Sequence, residues 1–332
     1  MGELRYDDRV AIVTAGGTGL GRSHALFLAS RGAKLIINQL ESNFSTAEAI
    51  VAEIEEKGGK AVAIPGRIGA DETARELVRR AIETFGRVDI VINNAGSFPQ
   101  QDRVWEAPGA SLYEYMETHV YGGMQLVRAA WPHFVAQNYG RILFTGSANG
   151  TGWMKGPRGY EMDYAIAKCA IFAVVRQTAA SGRAHNITAN ALMPWAFTPC
   201  VKTALGDSEL GTWMAQNLLP AQVTAGIAPL LHEDCPVNGE AISSQGGRVA
   251  RVFFAAARGY FNPELTPEDA LDHWEQVMGS KAEDGVLLDV FEQTQASEEH
   301  LIGEMLSTGE LPDLKWVSAQ PVHDGKLASA ED

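Results

Sequence analysis

The stretch "GYEMDYAIAKCA", residues 159 to 170, sets two tyrosines four residues apart ahead of a single lysine. On a helix Tyr164 and Lys168, at i and i+4, share one face with Cβ atoms about 5–6 Å apart. Tyr160 lies eight residues before Lys168, about 12 Å along a helix axis at roughly 1.5 Å per residue, too far to be tuned by its charge. A free tyrosine ionises near pH 10, and bringing it to about 7 takes roughly 4 kcal/mol. A neighbouring ammonium supplies about one to three pH units of that shift. Tyr164 is therefore the candidate for moving a proton, with a buried structural aromatic as the plain alternative.

A second signal is "VTAGGTGLGRS", in which Gly17, Gly19 and Gly21 alternate from the end of one strand into the start of a helix. Glycines there let backbone N–H groups and the positive helix terminus approach a pyrophosphate that a side chain would block. Alone, the spacing fits any glycine-rich turn. The strand before it and the helix after it point to a dinucleotide site.

Strand-like and helical stretches alternate around these residues. "RVAIVTA" (9–15), "AKLIINQL" (33–40), "KAVAIPG" (60–66), "VDIVINNAG" (88–96) and "RILFTGSANG" (141–150) read as strands. "GRSHALFLASRG", "STAEAIVAEIEEKGG", "ADETARELVRRAIETFG" and "EYMETHVYGGMQLVRAAWPHFVAQNYG" read as helices between them. Apolar strands joined by helices predict an α/β fold with a doubly wound, Rossmann-like parallel sheet over residues 1–250. Residues 251–332 break that alternation and predict a mainly helical C-terminal extension, with Thr266 and Pro267 opening "TPEDALDHWEQVM" and an irregular tail after it.

Composition sets the class. With 27 Lys and Arg against 41 Asp and Glu, the formal charge is -14; nothing in that balance supplies the phosphate-neutralising attraction that nucleic acid or an anionic membrane needs. No long apolar run and no charged-then-apolar leader are visible, which predicts a soluble protein. Cys169, Cys200 and Cys235 are far apart, without metal-ligand spacing, and an odd count argues against a disulfide framework; a reducing cytoplasm is expected.

Taken together, the glycine stretch, "NNAG" at 93–96, Ser147 in "LFTGSANG" and "YAIAK" resemble the short-chain dehydrogenase/reductase family, in order and over residues 5 to 250. The resemblance implies an oxidoreductase in which a hydride leaves or enters a carbon bearing oxygen while a proton moves to or from that oxygen. Tyr164 would be the acid/base, Lys168 its partner, and Ser147 the hydrogen-bond donor to the substrate oxygen. The family separates serine and tyrosine by about thirteen residues, which would pair Ser147 with Tyr160. No lysine follows Tyr160 at the right distance, so a short insertion within "GTGWMKGPRGYEMD" is the simpler account. Where the family carries a relay asparagine, "ETHVYGG" holds His119, either a proton relay or a satisfied structural histidine.

The match narrows with "GRILFTGSANG", "HEDCPVNGEAISSQGG" and "TPEDALDHWEQV". These look like the dehydrogenase module of the peroxisomal multifunctional enzymes and their bacterial relatives, which implies (3R)-hydroxyacyl-CoA or 17β-hydroxysteroid substrates and NAD. The implied cofactor contacts are Thr14, Gly17, Gly19, Leu20, Gly21, Asn38, Gln39, Arg67, Ile68, Asn94, Ala95, Gly96, Pro194, Phe197 and Thr198.

Several positions depart from the family pattern. Ala15 replaces a glycine, and Asn38–Gln39 replaces the ribose-binding acid of NAD users, leaving NADP as the alternative cofactor. Arg22 lies where some NADP users carry a basic residue. Gly66-Arg67-Ile68 replaces Gly-Asp-Val, and Trp195 replaces the glycine after Pro194. A non-catalytic dinucleotide-binding sensor or scaffold is the rival reading. For the substrate, Trp195, Phe197, Trp213, Met214 and Leu218 in the expected loop after the sixth strand, with Trp153 and Met154, are candidate linings of an apolar pocket, coverage of the core being the alternative. Lys155, Arg158, Arg103, Lys202 and Arg251 are the cations an acyl-CoA would need, against which the -14 charge stands. A hydroxysteroid-like alcohol is thus at least as well suited. "YAIAKCAIFAVVRQTAASG" is apolar on too many sides for one buried face, and by analogy with the family a homodimer or homotetramer is expected.

Overall fold

The first strand is four residues long, β1 (Val10–Val13), and every one of them is buried. Glycine-rich chain then turns into α1 (Gly19–Ser30), and the order repeats: β2 (Lys34–Gln39), α2 (Phe44–Glu56), β3 (Lys60–Pro65), α3 (Asp71–Phe85) and β4 (Ile90–Asn93). The computed structural model describes residues 2–97, 110–151, 161–254, 256–257, 259–278, 286–287 and 316–317. After β4 come α4 (Ala110–Tyr115), a π-helical turn over Met116–Tyr121, α5 (Gly122–Gln137) and β5 (Gly140–Thr145). A 3₁₀ turn over Ala148–Thr151 precedes α6 (Met162–Gly182) and β6 (Ile187–Trp195). The segment expected as a loop after β6 instead forms α7 (Pro199–Leu205) and α8 (Glu209–Asn217). Thr198 and Ser208 cap these helices by accepting from the N–H groups of Val201 and Gly211, which satisfies donors that a helix start leaves open. Helix α9 (Pro220–Leu231) and strands β7 (Ala241–Gln245) and β8 (Arg248–Val252) complete the unit.

The sheet runs β3-β2-β1-β4-β5-β6-β7-β8, parallel except for the antiparallel edge strand β8. The order reverses between β1 and β4. Val13 of β1 is in register with Ile37 of β2 and Ile92 of β4, so the loops after these strands open on one crevice, the usual ligand position in such sheets. Helix α1 packs against α2 and α9, while α3 packs against α5 and α6 against α4 and the π-helical turn. Between α1, α2, α9 and the sheet lies a core of Ala11, Val13, Leu28, Leu35, Ile37, Ile50 and Ile227 among others.

Contacts separate Met1–Val252 from Phe253–Asp332. In the second unit Thr266 Oγ1 accepts from Asp269 N at 3.1 Å and caps α10 (Pro267–Asp272), followed by α11 (Trp274–Val277). The described residues there also hold three two-residue strands, β9 (Ala256–Ala257), β10 (Val286–Leu287) and β11 (Trp316–Val317), in an antiparallel sheet that the helical reading of the extension did not include.

Candidate functional site

Lys168 lies in the second turn of α6, 3% exposed, and its Nζ donates to Thr145 O at the end of β5 at 2.6 Å. Nζ is 5.4 Å from the centre of the Tyr164 ring, so the pair shares one helix face as its spacing implies. Ser147, two residues beyond β5, lies near enough to Tyr164 to favour its ionised form. Its Oγ accepts from Asn149 N at 3.2 Å, which leaves the serine proton free to be donated. Tyr160, Trp153, Met154, Lys155, Arg158 and Arg103, with most of the expected insertion, lie outside the described residues.

His119 joins this group from the π-helical turn. Its ring meets Tyr164 edge-on, centroids 5.5 Å apart, and Tyr115 at 5.8 Å. Ser97 N donates to His119 Nε2 at 3.3 Å; Nε2 must therefore carry the lone pair, and the proton of the neutral ring sits on Nδ1. That Nδ1 is buried and has no partner among the described residues. Burial first, and the nearby Lys168 second, lower the imidazole pKa to about 2. His119 thus stays neutral at working pH and offers a fixed donor, which is a narrower role than a two-way relay.

Charge burial also reverses one expectation. Desolvation is the largest influence on Tyr164 and raises its pKa above the free value, opposed by the nearby Ser147 hydroxyl and reinforced by Glu161 and Tyr115. The same desolvation lowers Lys168 to about 7. In this state the lysine does not pull the phenol down, and Tyr164 holds its proton.

The dinucleotide crevice begins where β1 and β4 end. Thr14, fully buried, accepts at Oγ1 from Asn94 N (2.9 Å) and Ala95 N (2.8 Å), and Asn94 Nδ2 donates back to Thr14 O at 3.1 Å. These residues lock the two loops together. A Cβ on Gly17 would overlap Thr46 Oγ1, one on Gly21 would overlap Ala15 O, and one on Gly96 would overlap the His119 ring. Thr18 begins α1 without a side-chain cap, and no acidic residue lies in its first turn. Open N–H groups, close backbone and no opposing charge fit a pyrophosphate. Leu20 packs on the core, and Thr198 lies against Gly19, where an added Cβ would sit 3.4 Å from the threonine side chain.

Other expected contacts are placed differently. Asn38 turns its Nδ2 to Ile64 O (3.3 Å) and Gly66 O (3.0 Å), so its side chain ties β2 to β3 instead of facing a ribose. Gln39 is buried beside Gly17, its Oε1 accepting from Leu40 N at 3.0 Å. Arg22 pairs with Glu53 at 2.8 Å. Arg67 pairs with Glu117 at 2.9 Å, both exposed, while Ile68 is buried. Pro194 and Phe197 are partly buried, and Phe197 N donates to Leu218 O at 2.7 Å. Of the apolar candidates after β6, Met214 and Leu218 are buried, and only Trp195 and Trp213 remain open, 40% and 47% exposed with ring centroids 6.4 Å apart. Thr145 of β5 is in register with Leu192 of β6, which puts Trp195 and Ser147 at the same, C-terminal end of these strands. Lys202 is exposed on α7, whereas Arg251 is paired with Glu240 at 2.8 Å. Asn149 and Glu161, both in contact with this group, carry no motif and were not expected.

Comparison with known proteins agrees with this geometry. The short chain dehydrogenase family matches residues 9–209. Peroxisomal multifunctional enzyme type 2 of Mus musculus is 37% identical over 286 residues, covering 82% of this chain and 37% of that protein. The solved full-length peroxisomal multifunctional enzyme type 2 of Drosophila melanogaster aligns with a TM-score of 0.73 at 26% identity, over 91% of this chain and 51% of that one. A short chain dehydrogenase of Burkholderia cenocepacia J2315, solved in complex with NADP, aligns with a TM-score of 0.63 at 27% identity, over 73% of this chain and 98% of its own. The chain therefore spans between about a third and a half of the length of these two multifunctional relatives. On its family match, its doubly wound sheet and its dehydrogenase relatives, this chain belongs to the short chain dehydrogenase family, NAD(P)-dependent oxidoreductases acting on CH–OH donors.

Proposed function

We propose that this chain interconverts a secondary alcohol and a ketone on a bulky apolar molecule of the hydroxysteroid or 3-hydroxyacyl-CoA type, with Tyr164 as the acid/base. The observation that carries the reading is the pairing of Tyr164 and Lys168 on one face of α6, Nζ 5.4 Å from the ring centre, at the end of β5 that leads to Ser147. In reduction, Ser147 and Tyr164 donate to the carbonyl oxygen, and the Tyr164 proton ends on that oxygen as negative charge develops there. Lys168, anchored on Thr145 O, returns positive charge to the neighbourhood of the phenolate. His119 Nδ1–H is the third donor available to an oxygen in the site. The hydride would pass to or from the nicotinamide of a dinucleotide whose pyrophosphate the Gly17–Gly21 loop and the start of α1 would hold.

NAD is the favoured partner. The Arg22 guanidinium that a 2′-phosphate would seek is held by Glu53, which also pairs with Lys57. Trp195 and Trp213 favour a flat apolar body over a flexible acyl chain. With Arg251 paired to Glu240, one of the cations an acyl-CoA would need is already engaged.

The test is a titration with NADH and NADPH, read by energy transfer from the tryptophans, followed by turnover of a 17-ketosteroid, a 3-ketoacyl-CoA ester and an aromatic 1,2-diketone. Tyr164→Phe should bind cofactor as the wild type does and lose turnover by about a hundredfold or more. Unchanged turnover in that variant refutes the assignment of Tyr164. Binding of neither cofactor at millimolar concentration refutes the dehydrogenase reading of this pocket.

A further inference from the structure

Beside the tyrosine–lysine pair stands a carboxylate for which the reaction as described has no use. Glu161 is the residue before α6, three positions ahead of Tyr164, and is 7% exposed. Asn149 Nδ2 donates to Glu161 Oε2, and the backbone N–H of the same Asn149 donates to Ser147 Oγ at 3.2 Å. Ser147 in turn lies near enough to Tyr164 to favour its ionised form. The 3₁₀ turn carrying Asn149 packs on α6, so closely that a Cβ on Gly150 would press on the backbone of Lys168 and Cys169. Glu161, Asn149 and Ser147 thus form one hydrogen-bonded chain, through the side chain and the backbone N–H of Asn149, that ends beside the reacting hydroxyl.

Resting on the reading of Tyr164 as acid/base, we propose that Glu161 is a positioning and charge-setting residue of this site: through Asn149 it fixes the turn that aims Ser147, and its negative charge opposes the phenolate, biasing the site toward proton donation and so toward ketone reduction. The groups facing Tyr164 make the carboxylate distinctive. Lys168 lies on its own helix, Tyr115 and His119 face it from the preceding helical segment at 5.7 and 5.5 Å between ring centres, and Ser147 comes from the loop after β5. Lys168 would favour the phenolate, the neutral His119 adds no charge, and Asp163, the next acid on α6, is hydrogen-bonded by Ser111 Oγ at 2.5 Å. Glu161 adds to the upward pressure that burial already places on Tyr164, as a like charge does to any group that must become negative.

Two substitutions separate the two roles. Glu161→Gln keeps an oxygen to accept from Asn149 but removes the charge; Glu161→Ala removes both. The measurement is the pH dependence of kcat/KM in both directions for the member of the ketone panel reduced fastest and its alcohol, with the full chain and with Tyr164→Phe as the control. Glu161→Gln should move the acidic limb of alcohol oxidation downward by about 0.5–1 pH unit, a gain of roughly three- to tenfold below that limb. Glu161→Ala should show the same displacement together with a lower kcat at every pH, because Ser147 loses its aim. A Glu161→Gln profile that superimposes on the wild type overturns the charge-setting role, and equal kcat in the Gln and Ala variants overturns the positioning role. Turnover retained in Tyr164→Phe, or turnover of no panel member by the wild type, overturns instead the reading on which the proposal rests.

Discussion

Replacing Lys168 by methionine should stabilise the protein while removing its activity. The amine is 3% exposed, and desolvation lowers it from 10.5 to about 7. A drop of about 3.5 pH units corresponds to roughly 5 kcal/mol by which the fold disfavours the charged amine at neutral pH. Methionine has a similar length and no charge to bury, but it leaves Thr145 O without its 2.6 Å partner, a loss of about 1–3 kcal/mol. The net gain is therefore about 2–4 kcal/mol, or roughly 5–15 °C in Tm for a unit of this size. The sign with pH is fixed by the same numbers. Between pH 7 and 10.5 the unfolded chain holds a proton that the folded chain has released, so wild-type stability rises with pH across that window. Lys168→Met lacks that rise, and its advantage is largest at and below pH 7 and closes as pH approaches 10.5. Urea unfolding of both proteins at pH 6, 7, 8 and 9 gives the difference directly. A gap that stays constant from pH 7 to 9 would falsify the claim that burial suppresses the lysine charge.

Ala15 has a φ of 48°, a left-handed conformation that strains an L-residue by roughly 1–2 kcal/mol. Ala15→Gly, after the extra chain entropy of about 0.5–1 kcal/mol that glycine brings, should raise stability by about 0.5–1 kcal/mol in thermal unfolding; a lower Tm would contradict the strain. His119 should remain neutral with its proton on Nδ1 from pH 5 to 9, seen as a ¹⁵N-histidine signal that vanishes in His119→Asn, whereas titration near pH 6.5 would restore the relay role. Tyr121, Met124 and Ile166, 54%, 40% and 40% exposed on the segments expected to pair, should be covered in a dimer: sedimentation should give at least twice 35.8 kDa, Ile166→Glu should weaken it, and a micromolar monomer would refute it.

The sheet and the glycine crevice were legible because both rest on local pattern. Short β-branched runs ending in glycine or asparagine recur at the spacing of strand and helix, and backbone approach to a phosphate demands glycine where Gly17 and Gly21 stand. Tyr164 and Lys168 were legible from a four-residue spacing that any helix converts into one face. What escaped depends on the environment a residue acquires after folding. Asn38 alternates toward β3 because its amide finds two carbonyls there, and no rule of sequence distinguishes that from a ribose contact. The segment after β6 reads as a loop because its helices are short, although Thr198 and Ser208 with Pro199 and Glu209 behind them are start signals. The reversed influence on Tyr164 comes from burial, which a linear spacing does not carry. Glu161 and Asn149 belong to no motif, and only the fold brings them to Ser147.

The π-helical turn at Met116–Tyr121 bears on how such a site is altered. A π-bulge accommodates a surplus residue inside a helix, so shortening this stretch by one position would let it relax into an ordinary helix. Because the bulge absorbs the surplus residue, α4 and α5 on either side would keep their faces, and only residues inside the turn would change theirs, by up to about 100°. His119 would swing away from Tyr164 while α5 kept its seat on α3, an engineered deletion that should retune or silence the reaction without unfolding the sheet. Length, at this one place, is as much a determinant of chemistry as residue type.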